Sequence, residues 1–233
     1  MSDELLIEVG WGVARLTMNR PDSRNSLNPA LIAALIEAFD RLAKDDSVRV
    51  IELTGAGDKA FSAGGDLSGQ GLGGGDGMLV GHLGRARFAE LLRAIRDAGK
   101  PVVAVVQGHA LGGGFGLALA CDLVIAVDDA TFGTPEINVG LFPMIILAVL
   151  LRNVPRKKLL ELILLGDRVS AAEALRWGMI NEAVPRAELR AAADRYLQKL
   201  AQKSPVSMKL GRDAFYRVAD LPFDAALDYL NSQ

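Results

Sequence analysis

The sequence predicts an α/β fold whose sheet is at least partly parallel, and three observations carry that reading. Residues 101–106 (PVVAVV) and 123–127 (LVIAV) are unbroken apolar runs, the pattern of strands buried on both faces. Around them lie stretches with apolar residues three and four apart, the helical period, and strands alternating with helices pair in parallel through crossover connections. Glycines gather where the strands end: of 25 in the 233-residue chain, ten fall in 64–84 and five in 108–116. Their share, about 11%, exceeds the usual ~7%.

Residues 5–9 and 13–18 alternate and flank Gly10-Trp11-Gly12, which predicts a β-hairpin. Asn28-Pro29 supplies a helix cap and a proline at the first helical position. Leu31, Leu35, Phe39 and Leu42 follow at helical spacing to about residue 45. Residues 48–53 read as a strand ending at Thr54-Gly55. The low-complexity stretch 69–77 predicts a flexible loop. A helix over about 78–98 comes next, with Phe88, Leu91, Leu92 and Ile95 on its apolar side, and Lys100-Pro101 stops it. After strand 101–106, Gly112, Gly113 and Gly114 turn the chain into a short apolar helix, 115–121, ahead of strand 123–127. Helical patterns cover about 143–151, 156–165, 170–177, 186–203 and 205–218, with a short strand near 181–184. We divide the chain into an α/β core, 1–203, and a C-terminal helical region, 204–233. That region stops at Asn231-Ser232-Gln233 inside a starting helix (223–230) and reads as incomplete.

Net charge is −2, from 26 basic and 28 acidic residues, so electrostatics give no reason to expect nucleic acid or a membrane surface as partner. One cysteine excludes an internal disulfide. With two histidines it also excludes a Cys/His zinc cluster, so no metal site is expected, and a reducing, cytoplasmic setting is. The N-terminus lacks the basic and apolar regions of a signal peptide. The longest uncharged apolar run, 139–151, contains a proline and at 13 residues is too short to span a bilayer.

Several catalytic patterns fail. Gly69-Gln70-Gly71-Leu72-Gly73-Gly74 matches GxGxxG but neither follows a strand nor opens a helix, so it is not read as a dinucleotide site. GxxxxGK[ST], GxSxG and HExxH do not occur. His82 and His109 read as structural or solvent-facing. Two glycine-bearing segments survive, Ala60 to Leu67 and Gly108 to Gly116, each after a buried strand, where open α/β sheets bind ligands. Glycine lets a ligand touch backbone N–H groups, and Gly113 falls near a helix N-terminus, which favours negative charge. Two such loops facing each other could hold one developing oxyanion. Close helix–sheet packing accounts for the same glycines equally well. Glu136, set among apolar residues, suits proton transfer with a raised pKa, although a capping or ion-paired glutamate fits that position too.

Taken in order, the motifs resemble the crotonase superfamily, the enoyl-CoA hydratase/isomerase family of acyl-CoA enzymes. They are Asn19-Arg20-Pro21 with Asn25-Ser26-Leu27, Phe61-Ser62-Ala63-Gly64-Gly65-Asp66-Leu67, Lys100-Pro101, Gly108-His109-Ala110-Leu111-Gly112-Gly113-Gly114, Ala120-Cys121-Asp122, Phe132-Gly133-Thr134-Pro135-Glu136, and Ala171-Ala172-Glu173-Ala174 with Trp177-Gly178. The resemblance implies a ClpP/crotonase-like fold of repeated β-β-α units with a C-terminal helical oligomerisation region. It implies an oxyanion hole from the N–H groups of Gly65 and Gly113, holding a thioester enolate. It also implies a site for coenzyme A around Ser23, Arg24, Ser26, Ala63, Asp66 and Leu67, with Asp66 more a turn residue than a catalyst. Coenzyme A enters as part of the substrate, and no prosthetic group is implied. Homotrimers or dimers of trimers are the implied assembly.

Hydratases of this family use two glutamates. One position matches Glu136; the other matches Gly116, so the first acid is missing. Where they carry a glycine-rich stretch after a proline, this chain has Pro143-Met144-Ile145-Ile146-Leu147. A lone carboxylate suits a double-bond shift between 3-enoyl and 2-enoyl thioesters better than hydration. Other crotonase reactions (hydration, thioester hydrolysis, decarboxylation) and a non-catalytic acyl-CoA-binding relic are the alternatives. The run 141–151 and the helix near 78–95 are candidates for the acyl pocket wall.

Overall fold

The computed structural model describes residues 3–66 and 75–233, with side chains in the 75–85 stretch excepted. Strands β1 (Leu5–Gly10) and β2 (Val13–Met18) form the predicted hairpin. Its two turn residues, Trp11 and Gly12, both have positive φ (55° and 79°), the backbone a two-residue turn needs to match strand twist. Helix α1 (Pro29–Ala43) begins as expected, with the Asn28 side chain accepting from the Leu31 N–H at 2.7 Å. It buries Leu31, Leu35, Phe39 and Leu42.

The rest of the core repeats one plan. A long strand is followed by a three-residue strand, then a helix. The first unit is β3 (Val50–Gly55), β4 (Ala60–Ser62) and α2 (Gly75–Arg96). The second is β5 (Val102–Val106), β6 (His109–Leu111) and α3 (Gly113–Ala120). The third is β7 (Leu123–Val127), β8 (Thr131–Gly133), a 3-10 turn at Pro135–Val139 and α4 (Met144–Asn153). Then come α5 (Arg156–Leu165), β9 (Arg168–Ser170), α6 (Ala171–Arg176), β10 (Glu182–Val184), α7 (Leu189–Ala201), α8 (Pro205–Val218) and α9 (Phe223–Asn231).

Long and short strands segregate. The first sheet has the order β1-β2-β3-β5-β7-β10, parallel from β2 onward. The second runs β4-β6-β8-β9, with only the last pair antiparallel. Every residue of β5 is buried, as its unbroken apolar run requires. Phe39, Phe61, Phe115 and Phe132 are fully buried, and the Phe115 and Phe132 rings meet at 5.9 Å. The α/β, crotonase-like architecture is as expected, but the second sheet corrects the element reading. Segments 60–62 and 109–111, expected as loops, are strands, because ladder hydrogen bonds to neighbours distant in sequence decide such short pieces. Of the expected loop 69–77, residues 69–74 lie outside the described residues and 75–77 are already helical. The expected helix 186–203 opens with a separate 3-10 turn at Arg186–Glu188.

A buried cation fixes the C-terminal region to the core. Arg212 on α8 donates to Asp122 at 2.8 Å and to the carbonyls of Ile95 and Arg96, and Tyr216 donates to the other Asp122 oxygen at 2.6 Å. Beyond that anchor, α8 and α9 leave Val206, Leu210, Phe215, Phe223 and Leu227 exposed. Among the described residues no helix is long and apolar enough to cross a membrane.

Candidate active site

The short sheet brings three chain segments to one place. The segment after β4 is held by a single parallel bridge: the Leu27 N–H donates to the Gly64 carbonyl at 2.8 Å, and the Asp66 N–H donates to the Leu27 carbonyl at 3.1 Å. In a parallel ladder the residue between two bonded neighbours turns its own N–H to the opposite side. Gly65 is that residue. A Cβ on Gly65 would meet nothing within 4 Å.

The opposite side is the start of α3. Gly64 adopts φ +92°, and a Cβ there would fall 2.8 Å from the Leu111 carbonyl oxygen and 3.0 Å from the Gly113 nitrogen. Backbone therefore packs directly on backbone, which only glycine permits. A Cβ on Gly113 would lie 3.6 Å from the Gly65 nitrogen, so the two amides are close neighbours. Among the described residues neither N–H donates a hydrogen bond. Gly113 is also the first residue of α3, where N–H groups have no partner in the helix and the dipole favours an anion.

Glu136 reaches the same place through β8, which pairs with β6 and continues the ladder as the Gly112 N–H donates to the Gly133 carbonyl at 2.9 Å. Its 3-10 turn is tied to α5 on both sides. Buried Thr134 donates to the Leu162 carbonyl, and the Asn138 side chain donates to the Gly166 carbonyl, each at 3.2 Å. The carboxylate lies over Gly112, where a Cβ would come within 2.7 Å of Oε1. Gly112 has φ +52°, a second reason for glycine there. Glu136 forms no ion pair among the described residues, and its Oε2 is buried without a hydrogen-bond partner. Burial pushes its pKa up from the ordinary 4.5, opposed in part by a backbone hydrogen bond. The ion-paired reading of this glutamate is thereby set aside.

One turn along α3, Gly116 has a different neighbour. A Cβ there would fall 2.5 Å from the Cβ of Ile146 on α4 and closer still to its Cγ2. Ile146 is 3% exposed, whereas Met144, at the start of the same helix, is 66% exposed. The space beside Gly116 is therefore filled by an alkyl side chain. Ile146 was not among the residues singled out from sequence, because nothing local identifies which residue of 141–151 faces α3.

The residues proposed for coenzyme A divide into two groups. Arg24 is exposed, in a left-handed conformation (φ 54°), and its carbonyl accepts from the Ala63 N–H at 2.9 Å. Arg24 and Ala60 border two adjoining clefts of about 350 and 320 Å³, together with Asp58 and Lys59. Ala63, His109, Arg168 and Arg186 join the second cleft. The basic residues Lys59, Arg168 and Arg186 escaped the sequence reading; only Lys59, next to the segment 60–67, carried a local signal. Ser26 and Asp66 instead face inward. Arg20 donates to the Ser26 hydroxyl at 2.9 Å and to Asp66 at 3.0 Å, a tie that holds the loop. The Ser23 hydroxyl donates to the Arg20 carbonyl at 3.2 Å. Leu67 lies outside the described residues, as does the His82 side chain. His109 pairs its Nδ1 with the Thr131 hydroxyl at 2.9 Å.

Such an arrangement can hold a carbonyl oxygen on two amides, with one poorly solvated carboxylate nearby. Comparison with known proteins gives the family. Residues 8–230 match the family model described as enoyl-CoA hydratase/isomerase. The chain belongs to the enoyl-CoA hydratase/isomerase family. Within it, carnitinyl-CoA dehydratase of Salmonella heidelberg (strain SL476) is 33% identical over 100% of this chain and 87% of its own. The crystal structure of the enoyl-CoA hydratase of Mycobacterium smegmatis superposes with a TM-score of 0.95 at 35% identity, covering 99% of this chain and 89% of that one. The enoyl-CoA hydratase of Bacillus anthracis gives 0.93 at 29%, with the same coverage. This member of the enoyl-CoA hydratase/isomerase family is thus an enzyme with the crotonase fold, including its C-terminal helices.

Proposed function

We propose that the protein moves a double bond between the 3- and 2-positions of an enoyl-CoA thioester, with Glu136 as the only acid/base. The observation that carries this reading is the pairing of one carboxylate at Gly112, its Oε2 buried without a hydrogen-bond partner, with an alkyl side chain at Gly116. The thioester oxygen lies on the N–H groups of Gly65 and Gly113. Glu136 takes a proton from C2, the electron pair passes through the C3–C4 double bond and the carbonyl, and a dienolate forms. The same carboxyl group then returns the proton at C4, leaving the double bond between C2 and C3. No water is consumed and no second acid is needed. Each amide donor contributes about 3–4 kcal/mol to the transition state. The raised pKa of Glu136 makes it a stronger base once ionised, and burial keeps water from competing for its proton.

Coenzyme A is held as part of the substrate, with no separate prosthetic group. Its phosphates suit the second cleft, where Arg24, Lys59, Arg168 and Arg186 outnumber Asp58 and Asp129, with Ala63 on the pantetheine side. The exposed apolar face of α8 and α9 suits association of identical chains, as a homotrimer or a dimer of trimers. Light scattering giving a monomeric mass would exclude that assembly.

A second reading is favoured by the likeness to carnitinyl-CoA dehydratase. One carboxylate can take the C2 proton and pass it to a hydroxyl leaving C3, releasing water. Purified protein given a 3-enoyl-CoA should produce the conjugated 2-enoyl-CoA, read by its absorbance. Tight binding of the thioester with no product would refute a catalytic role.

A further inference from the structure

We propose that Ile146 is the residue that sets this enzyme against hydration, by occupying the position from which a second acid or a water would act beside Glu136. The inference deepens the isomerase reading and rests on Glu136 being its base. Gly112 is the residue that precedes α3 and Gly116 lies in its first turn, linked by the Gly116 N–H to Gly112 carbonyl bond at 3.1 Å. That bond sets the two positions one turn, about 5.4 Å, apart along the helix axis. A Cβ at the first position would meet the Glu136 carboxylate; a Cβ at the second would meet Ile146. A carboxylate rooted at 116 would therefore start about one turn from the Glu136 carboxylate, and Ile146 fills the space its Cβ needs. Ile146 is anchored by its burial in the α3–α4 contact, with Leu150 one turn later also buried.

The consequence is chemical. Adding water across a 2-enoyl thioester requires an O–H bond of water to break, oxygen to join C3 and a proton to join C2. Glu136 alone can accept the water's proton, but the water needs a second polar contact to hold it against C3. An isoleucine offers none, and a water there forgoes hydrogen bonds. Returning a proton from C2 to C4 needs no such water. The absence of an acid at 116 and the presence of an alkyl group at 146 are thus one coupled feature, and restoring the acid alone is not enough.

The test is a set of variants, Gly116→Glu, Ile146→Gly and both together, assayed for 2-enoyl-CoA hydration and 3-enoyl-CoA isomerisation. Gly116→Glu alone should gain no hydration and should melt lower than the parent. The double variant should hydrate at least tenfold faster than the parent. A folded double variant that binds acyl-CoA but hydrates no faster overturns the proposal. A parent that neither isomerises nor hydrates defeats the isomerase reading, while hydration by the double variant still judges Ile146, so the two failures are distinguishable. Melting curves keep the packing claim testable if the glutamate variants misfold. Gly116→Ala should lower Tm in the parent but much less in the Ile146→Gly background. Equal losses in both backgrounds would show that Ile146 does not fill the space.

Discussion

Gly112 and Gly116 sit one helical turn apart and lack side chains for opposite reasons. At Gly112 the vacant Cβ position admits a carboxylate, and the backbone adopts a left-handed φ that other residues rarely take. At Gly116 the vacancy admits Ile146, in an ordinary helical conformation. The first turn of one short helix thus has a charged end and a dry end. The contrast teaches that a glycine's meaning lies in what enters its space. In the function proposed above, the polar end positions a base and the apolar end decides which chemistry that base can do.

The largest way to break the comparison is at the charged end. Glu136→Gln keeps the shape and removes the base, so turnover should fall by about 10²–10⁴-fold while the dissociation constant for an acyl-CoA changes little. Steady-state kinetics with titration calorimetry check both halves. Gly112→Ala keeps the base but displaces it, since the new Cβ would sit 2.7 Å from Oε1 and strain a backbone at φ +52°. A misplacement of that size should cost about 10²-fold in kcat, with KM much less affected.

The dry end should respond in stability before activity. Gly116→Ala forces the α3–α4 packing apart and should destabilise the fold by about 1–3 kcal/mol, measured by urea unfolding. The smallest effect is on pH dependence. Burial raises the Glu136 pKa above 4.5 and the base works only ionised, so the acid limb of kcat/KM should lie above the ordinary carboxylate range. Stability follows the same shift. The folded state holds this proton more tightly than the unfolded state, so the group's favourable contribution is complete below 4.5 and is lost as pH rises through the raised value. Glu136→Gln should therefore gain stability relative to the parent as pH increases across that interval.

Much of the scaffold was legible in sequence. Asn28-Pro29 marked the start of α1, and the apolar runs at 101–106 and 123–127 contained the interior strands β5 and β7. The short sheet was not legible, because a three-residue strand such as Thr131–Gly133 shows no period, and its partners lie some twenty to forty residues away. Gly65, Gly113 and Glu136 could be picked out from ordered motifs, and the fold brings their segments together as backbone approaches of a few ångströms. Ser26 and Asp66, expected at the coenzyme A site, turn their polar atoms to Arg20, a pairing that depends on a contact 46 residues apart in the case of Asp66. Ile146 was hidden for a related reason. Any residue of its apolar run could have faced α3, and only the packing of α4 selects it.

The comparison of the two glycines is tested most directly by the ratio of two rates in the unmodified protein. Purified enzyme would be given 3-enoyl-CoA and 2-enoyl-CoA of equal chain length, with isomerisation and hydration followed under the same conditions. Isomerisation should outpace hydration by at least tenfold. Hydration as fast as isomerisation, or faster, would contradict it.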